Sequence, residues 1–240
     1  MSNKRGIFIT FEGGDGVGKS TQVAFFASLL ERLGYDVLLL REPGGTRIGE
    51  HIREVLLDIN NHEITDASEL MLYLAARSQI VNEVIKPALD AGKVVLCDRF
   101  FDSTVAYQGY GRGMDIDFIK RANEFVCDGL VPDKTILFYI SEEEQKSRLD
   151  RREATDRIED AGPDFSMRVA RGFMKIAEAE PERIEPVSTG GIHSEAAKHV
   201  LDATADLLDL DLNCDVATQA LDELDSNHNK LAAQSGEKSS

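Results

Sequence analysis

The chain has 240 residues, 42% of them hydrophobic, with a formal net charge of −16 and no tryptophan. That length suits one α/β domain with a short appendage and is ample for a buried core. An acidic surface repels nucleic acid and anionic membranes, so neither is expected as a partner, whereas a local cluster of arginines can still hold a small anion.

The first expected strand is Ile7-Phe8-Ile9-Thr10-Phe11, and Gly13-Gly14-Asp15-Gly16-Val17-Gly18-Lys19-Ser20 follows it directly. The second stretch fits the phosphate-binding loop G-x-x-x-x-G-K-[ST] at every required position. Its four glycines let the backbone curl until several N–H groups point at a phosphate. A helix leading out through Thr21 adds its partial positive end. Lys19 can then reach the terminal phosphates, and the Ser20 hydroxyl is placed to ligate Mg²⁺. Residues 13–21 are therefore expected to bind the phosphates of a nucleoside triphosphate.

The next strand, Asp36–Leu40, is apolar without alternation, as expected of a strand covered on both faces. Arg41-Glu42-Pro43-Gly44-Gly45-Thr46 stops regular structure and makes a loop that can approach a ligand, before a helix over Ile48–Asp58. A helical pattern runs from Asp66 to Ala91, with Asp66 as N-cap and Glu69 three residues on, a capping box in form. Pro87 implies a kink or a second helix near it.

Lys93–Asp98 is a buried-type strand ending in a carboxylate, followed by a helix over Asp115–Cys127 and a strand over Thr135–Ile140. Ser141 with Glu142, Glu143 and Glu144 marks a helix start. In residues 148–163, Arg148, Arg151, Arg152 and Arg157 alternate with acids up to Gly162-Pro163, and this stretch reads as a mobile lid. A helix towards Glu180, a strand over Ile184–Ser188 and a helix over Ser194–Leu208 close the pattern.

This order predicts an α/β fold, a three-layer αβα arrangement around a five-stranded parallel sheet, with ligands at the carboxyl ends of the strands. Residues 1–208 make the domain. Residues 209–240 carry seven acids against two lysines and read as a solvated, largely disordered extension, with a weak helix around Val216–Leu224. The three cysteines and five histidines have neither metal-ligand nor redox-pair spacing. A sparse, odd set of cysteines suits a reducing compartment. With no apolar signal region and no run of ~18 apolar residues, the cytoplasm is the expected location.

Polar residues end several strands. Asp98 is placed to hold Mg²⁺ directly or through water, and Arg99 beside it to face anions. Residues 13–20, Arg41–Thr46, Asp98-Arg99-Phe100, Ser103-Thr104-Val105-Ala106-Tyr107-Gln108-Gly109 and Asp156-Arg157-Ile158-Glu159 together closely resemble bacterial thymidylate kinases, over residues 6–208. The resemblance implies transfer of the γ-phosphoryl group of ATP to dTMP with Mg²⁺, and a homodimer.

Residue by residue, the resemblance gives Tyr73 the place of a ring stacked on thymine and Arg77 that of a base contact. It gives Arg53 and Arg99 the dTMP phosphate and Asp15 the sugar 3′-hydroxyl. Glu42, Ser103, Thr104, Tyr107 and Gln108 fall among the positions lining the acceptor, with Tyr107 crowding a ribose 2′-hydroxyl. Gly16 stands where one variant of the family has a catalytic arginine, so the lid would supply it from Arg152 or Arg157, with Arg151 behind. The catalytic set is thus Lys19, Arg99, Asp15 and a lid arginine.

The nearest rival is a kinase of another nucleoside monophosphate or a deoxynucleoside. A nucleotide switch would carry a guanine-selecting Asn-Lys-x-Asp motif, which this sequence lacks. A scaffold without activity is opposed by the presence of Lys19, Ser20, Asp98 and Arg99.

Overall fold

Five short aliphatic and aromatic runs become one all-parallel sheet in the computed structural model, which describes residues 5–150, 156–212 and 214–224. The strands are β1 (Ile7–Glu12), β2 (Val37–Arg41), β3 (Val94–Asp98), β4 (Lys134–Tyr139) and β5 (Ile184–Ser188), in spatial order β2-β3-β1-β4-β5. The register sets Arg41, Asp98, Phe11 and Ile136 in one row. The strands that carry the functional residues therefore end at the same level. The chain leaves β1 and β3 towards opposite faces, and ligand crevices form at such a switch point.

On one face α1 (Lys19–Arg32) and α9 (His193–Leu208) pack on Ile9, Phe11, Ile136 and Val187. The other face carries α3 (Asp66–Ile80), α6 (Ile116–Cys127) and α8 (Pro163–Ala179). Its cores gather Phe8, Ile80, Val95 and Phe100 in one cluster and Leu70, Val105, Ile119 and Phe173 in another. Among the described residues no helix is long and apolar enough to cross a membrane.

The structure departs from the sequence reading at several places. β2 is an edge strand, so it is not covered on both faces: Leu38 and Leu40 pack inward while Leu39 is 47% exposed. Thr65, not Asp66, caps α3, accepting the Ser68 N–H, and Glu69 turns inward instead of closing a capping box. At Pro87 the sequence reading holds, since a second helical segment begins beside it. A π-helical turn over Val81–Ile85 widens the backbone before α4 (Lys86–Asp90) resumes with Pro87 in its first turn, where no N–H is needed.

Residues after Arg99, given no element by the sequence reading, form α5 (Phe101–Thr104) and a π-helical continuation over Val105–Gly111. α2 (Arg47–Leu57) is capped by Thr46, and α7 (Glu142–Asp150) begins at Ser141, whose hydroxyl accepts the Glu144 N–H at 3.2 Å. Residues 215–224 form a further helix, α10. It is not a solvated extension: Ala217 and Ala220 are buried, and Leu210, Leu212, Val216 and Leu221 pack on the α1/α9 core.

Candidate active site

A 540 Å³ cleft opens at the carboxyl ends of β1, β2 and β3. The phosphate loop forms one wall, with Asp15, Gly16, Val17, Gly18, Lys19, Ser20 and Thr21 lining it. Gly13 and Gly14 are buried behind. A Cβ on Gly13, whose φ is 143°, would stand 2.4 Å from the Phe138 carbonyl oxygen, so only glycine fits there. Gly18 takes φ 83° to start α1, again in the region that favours glycine.

Lys19 is buried and forms an ion pair with Asp98. Burial and the neighbouring Arg99 charge pull the ammonium below its ordinary value, while Asp98 opposes them.

Arg99 follows β3 in the left-handed region, at φ 70°, a strained position for a residue with a side chain. Its guanidinium donates to the Gly13 carbonyl at 2.8 Å and to Asp15 at 2.6 Å, and lies 5.0 Å above the centre of the Tyr107 ring. Tyr107 donates to the other oxygen of Asp15 at 2.8 Å. Asp15 thus joins the phosphate loop to the helix that follows Arg99.

Beneath them lies Glu12, which sequence reasoning passed over. It accepts from the backbone N–H of Phe100 at 2.8 Å and from the Ser103 hydroxyl at 2.6 Å, holding the turn in which Arg99 sits. Burial and the nearby Asp102 charge push its carboxyl up to about 7. Its signal was a carboxylate ending an apolar strand, the same pattern that singled out Asp98.

On the opposite side Arg53, Tyr73, Ser103, Thr104 and Gln108 line the cleft. Arg77, 1% exposed, is saturated by protein groups. It donates to Glu42 at 2.8 Å, to Thr104 at 2.5 Å, to Asn123 at 2.8 Å and to the Phe100 carbonyl at 3.0 Å. A second guanidinium nitrogen lies 2.6 Å from Glu42, so its five N–H groups are all engaged. Burial, the largest effect, opposes its charge, but the charge and hydrogen bond of Glu42 together with the other groups around it raise its value. Its acidic partner is Glu42. Asn123 carried no sequence signal, since it meets Arg77 only through tertiary packing.

Arg157 does not line the cleft. It is 7% exposed, donates to the Leu56 carbonyl at 3.0 Å and stands 2.7 Å from Glu69. Glu69, 0% exposed, also accepts from Gln108 at 2.8 Å and Arg112 at 3.0 Å. Burial works against its charge, but these donors hold it below its ordinary value. Glu69, Tyr73 and Arg77 recur every four residues on one face of α3, a signal the capping-box reading obscured. Asp156, Ile158 and Glu159, at the end of the stretch read as a lid, line the cleft, whereas Arg151 and Arg152 lie outside the described residues.

The donor chemistry suits Mg²⁺. The exposed Ser20 hydroxyl and the Asp98 carboxylate line the same wall, and Mg²⁺ usually takes one or two protein oxygens with phosphates and waters. No cluster of three metal-binding side chains occurs among the described residues, as a site of that kind does not need one.

The thymidylate kinase family profile matches residues 11–195. Thymidylate kinases of Exiguobacterium sibiricum and Desulforudis audaxviator are 47% and 48% identical over 200 and 177 residues. These alignments cover 82% and 73% of this chain and 94% and 80% of the relatives. The crystal structure of thymidylate kinase from Ehrlichia chaffeensis has a TM-score of 0.69 at 33% identity, covering 82% of this chain and 98% of its own. A match that takes in the loop, the ends of the strands and nearly the whole domain leaves one assignment: the chain belongs to the thymidylate kinase family.

Proposed function

We propose that the cleft holds donor and acceptor phosphates at adjacent stations, Lys19 and the loop N–H groups for ATP and Arg99 with Arg53 for dTMP. As a thymidylate kinase the chain is an ATP-dependent nucleoside monophosphate kinase that phosphorylates dTMP. The bond between the γ-phosphorus and the β,γ-bridging oxygen of ATP breaks. A bond forms from an oxygen of the dTMP phosphate to that phosphorus, giving dTDP and ADP. The acceptor oxygen is already anionic, so no general base is required. The barrier is the approach of two anions, which fixed positive charge and positioning lower.

The observation that carries this reading is the pairing of Lys19 with Asp98 and of Arg99 with Asp15 along one wall. Both cations are held by carboxylates beside the reacting centre, so neither depends on substrate for its position. Ser20 and Asp98 would hold Mg²⁺, which when bound neutralises phosphate charge. Tyr73 is given the base-stacking role and Tyr107 the exclusion of ribose. With its N–H groups occupied, Arg77 acts on the base through Thr104 and Glu42 unless one of those bonds is exchanged for the substrate. Residues 188–189 are given adenine, because the Thr189 hydroxyl donates to the Val17 carbonyl at 2.5 Å and ties that turn to the phosphate loop.

The lid cation is assigned to Arg152, since Arg157 is buried against Glu69. A homodimer in the cytoplasm completes the proposal. Phe125 is 84% exposed with Phe118 on the same face of α6, Met71 is exposed on α3, and the unpaired cysteines suit a reducing compartment. A coupled ADP-release assay across dTMP, dUMP, dCMP, dGMP and thymidine tests specificity. Strong preference for dTMP is expected, and preference for any other acceptor overturns it.

A further inference from the structure

Glu69 is 0% exposed and lies one helical turn before Tyr73, on the face of α3 that meets the cleft. Gln108, in the π-helical segment over Val105–Gly111, donates to one of its oxygens at 2.8 Å. Arg112 donates to the other oxygen at 3.0 Å, and Arg157 stands 2.7 Å from that same atom. A buried acid between two guanidinium groups is weak grounds for stability, because desolvation offsets much of the attraction. What such an arrangement fixes is the position of its donors.

Two of these donors lead to different sides of the cleft. Gln108 lines it with Tyr73 and Thr104, on the side given to the acceptor base. Arg157 instead grips the end of α2. Its Nε donates to the Leu56 carbonyl at 3.0 Å and its backbone N–H to the Leu57 carbonyl at 3.2 Å. Carbonyls of a last helical turn lack partners within the helix and attract a cation. Arg53 sits one turn earlier on α2 and lines the cleft, on the side given to the acceptor phosphate. Asp156 and Ile158, which flank Arg157, line it too, in a turn closed by the Asp156 carboxylate on the Ile158 and Glu159 N–H groups at 2.9 Å. A single carboxylate therefore joins the base side of the cleft to the phosphate side.

We propose that Glu69 is a positioning residue for the acceptor: through Gln108 and Arg157 it holds the base wall and α2 at a fixed separation, so that a nucleoside monophosphate meets both ends of its site already in place. This role rests on the kinase reading. Without Glu69 the substrate has to order the two walls itself, and that cost falls on KM and not on kcat.

The test uses the full-length protein, with dTMP turnover followed by ADP release and thymidine, which has the base but no phosphate, as competitive inhibitor. Glu69→Gln releases both walls. It should raise the dTMP KM and the thymidine Ki by about tenfold, with kcat and the ATP KM within about twofold of the parent. Arg157→Lys keeps a cation for Glu69 but loses the planar fork that also holds the Leu56 carbonyl. It releases α2 alone, and should raise the dTMP KM by about fivefold with the thymidine Ki unchanged. Because it keeps the charge, this variant decides the matter where Glu69→Gln fails to fold. Arg112 packs over the Phe165 ring, 4.7 Å from its centre, so Arg112→Gln removes a Glu69 donor on the α8 side. It should lower the urea midpoint and leave the dTMP KM in place. The role is overturned by a parental dTMP KM in either of the first two variants once folded, or by a thymidine Ki that rises with the dTMP KM in Arg157→Lys. A rise in KM in Arg112→Gln equal to that in Glu69→Gln overturns it as well. Absence of dTMP turnover in the parent protein would instead overturn the kinase reading.

Discussion

Arg99 sits at φ 70° because Glu12 holds the turn after it and Asp15 with Gly13 holds its guanidinium. Strain fixed in this way keeps a cation at the place proposed for the meeting of the two phosphates. Arg99→Ala should therefore lower kcat/KM for dTMP by about 10²–10³ in the coupled assay, the scale of a lost electrostatic contact in a reacting centre. The two lid arginines separate by a different measurement. Removing one partner of the buried Arg157–Glu69 pair should cost about 3 kcal/mol, so Arg157→Ala is expected to lower the urea midpoint. Arg152→Ala should leave the midpoint in place and cut kcat. Glu12 gives a pH signature. Its carboxyl rises from 4.5 to about 7 on folding, so the proton is bound more tightly in the folded protein. Its contribution to stability is fully present below the unfolded value and is lost as pH rises through the folded one. Glu12→Gln mimics the protonated carboxyl and should gain on the parent by on the order of 3 kcal/mol between about pH 5 and about pH 8, read from urea midpoints.

At the scale of elements, two segments work differently from their sequence appearance. The helix after Arg99 passes from α-helical to π-helical between Thr104 and Val105, and the widened turns present Tyr107 to Asp15 and Gln108 to Glu69. The acidic extension begins with α10, which returns to the domain through Ala217 and Ala220 and an Arg32–Glu223 ion pair at 3.0 Å. Truncation after Leu208 uncovers apolar surface at the α1/α9 core. It should lower stability by at least about 2 kcal/mol in urea unfolding while leaving kcat/KM for dTMP unchanged at 25 °C.

At the scale of the whole molecule, the parallel register collects Arg41, Asp98 and the loop after Phe11 at one end of the sheet, and the cleft follows from that. Helix α6 offers the exposed Phe118 and Phe125, and Phe125→Glu should give a monomer by light scattering if this face is the proposed dimer contact. The sequence by itself determined the phosphate loop, the order of strands and helices and the identity of the strand-end residues, because these depend on local spacing and on the glycines and carboxylates that punctuate apolar runs. It could not reveal that β2 is an edge, since an unbroken apolar run is compatible with either position. Nor could it show that Arg77 is saturated by Glu42, Thr104 and Asn123 or that Arg157 is buried on Glu69. Those pairings join residues 27 to 88 positions apart, and only tertiary packing decides which charge a buried arginine meets and which arginines stay free to face the substrate.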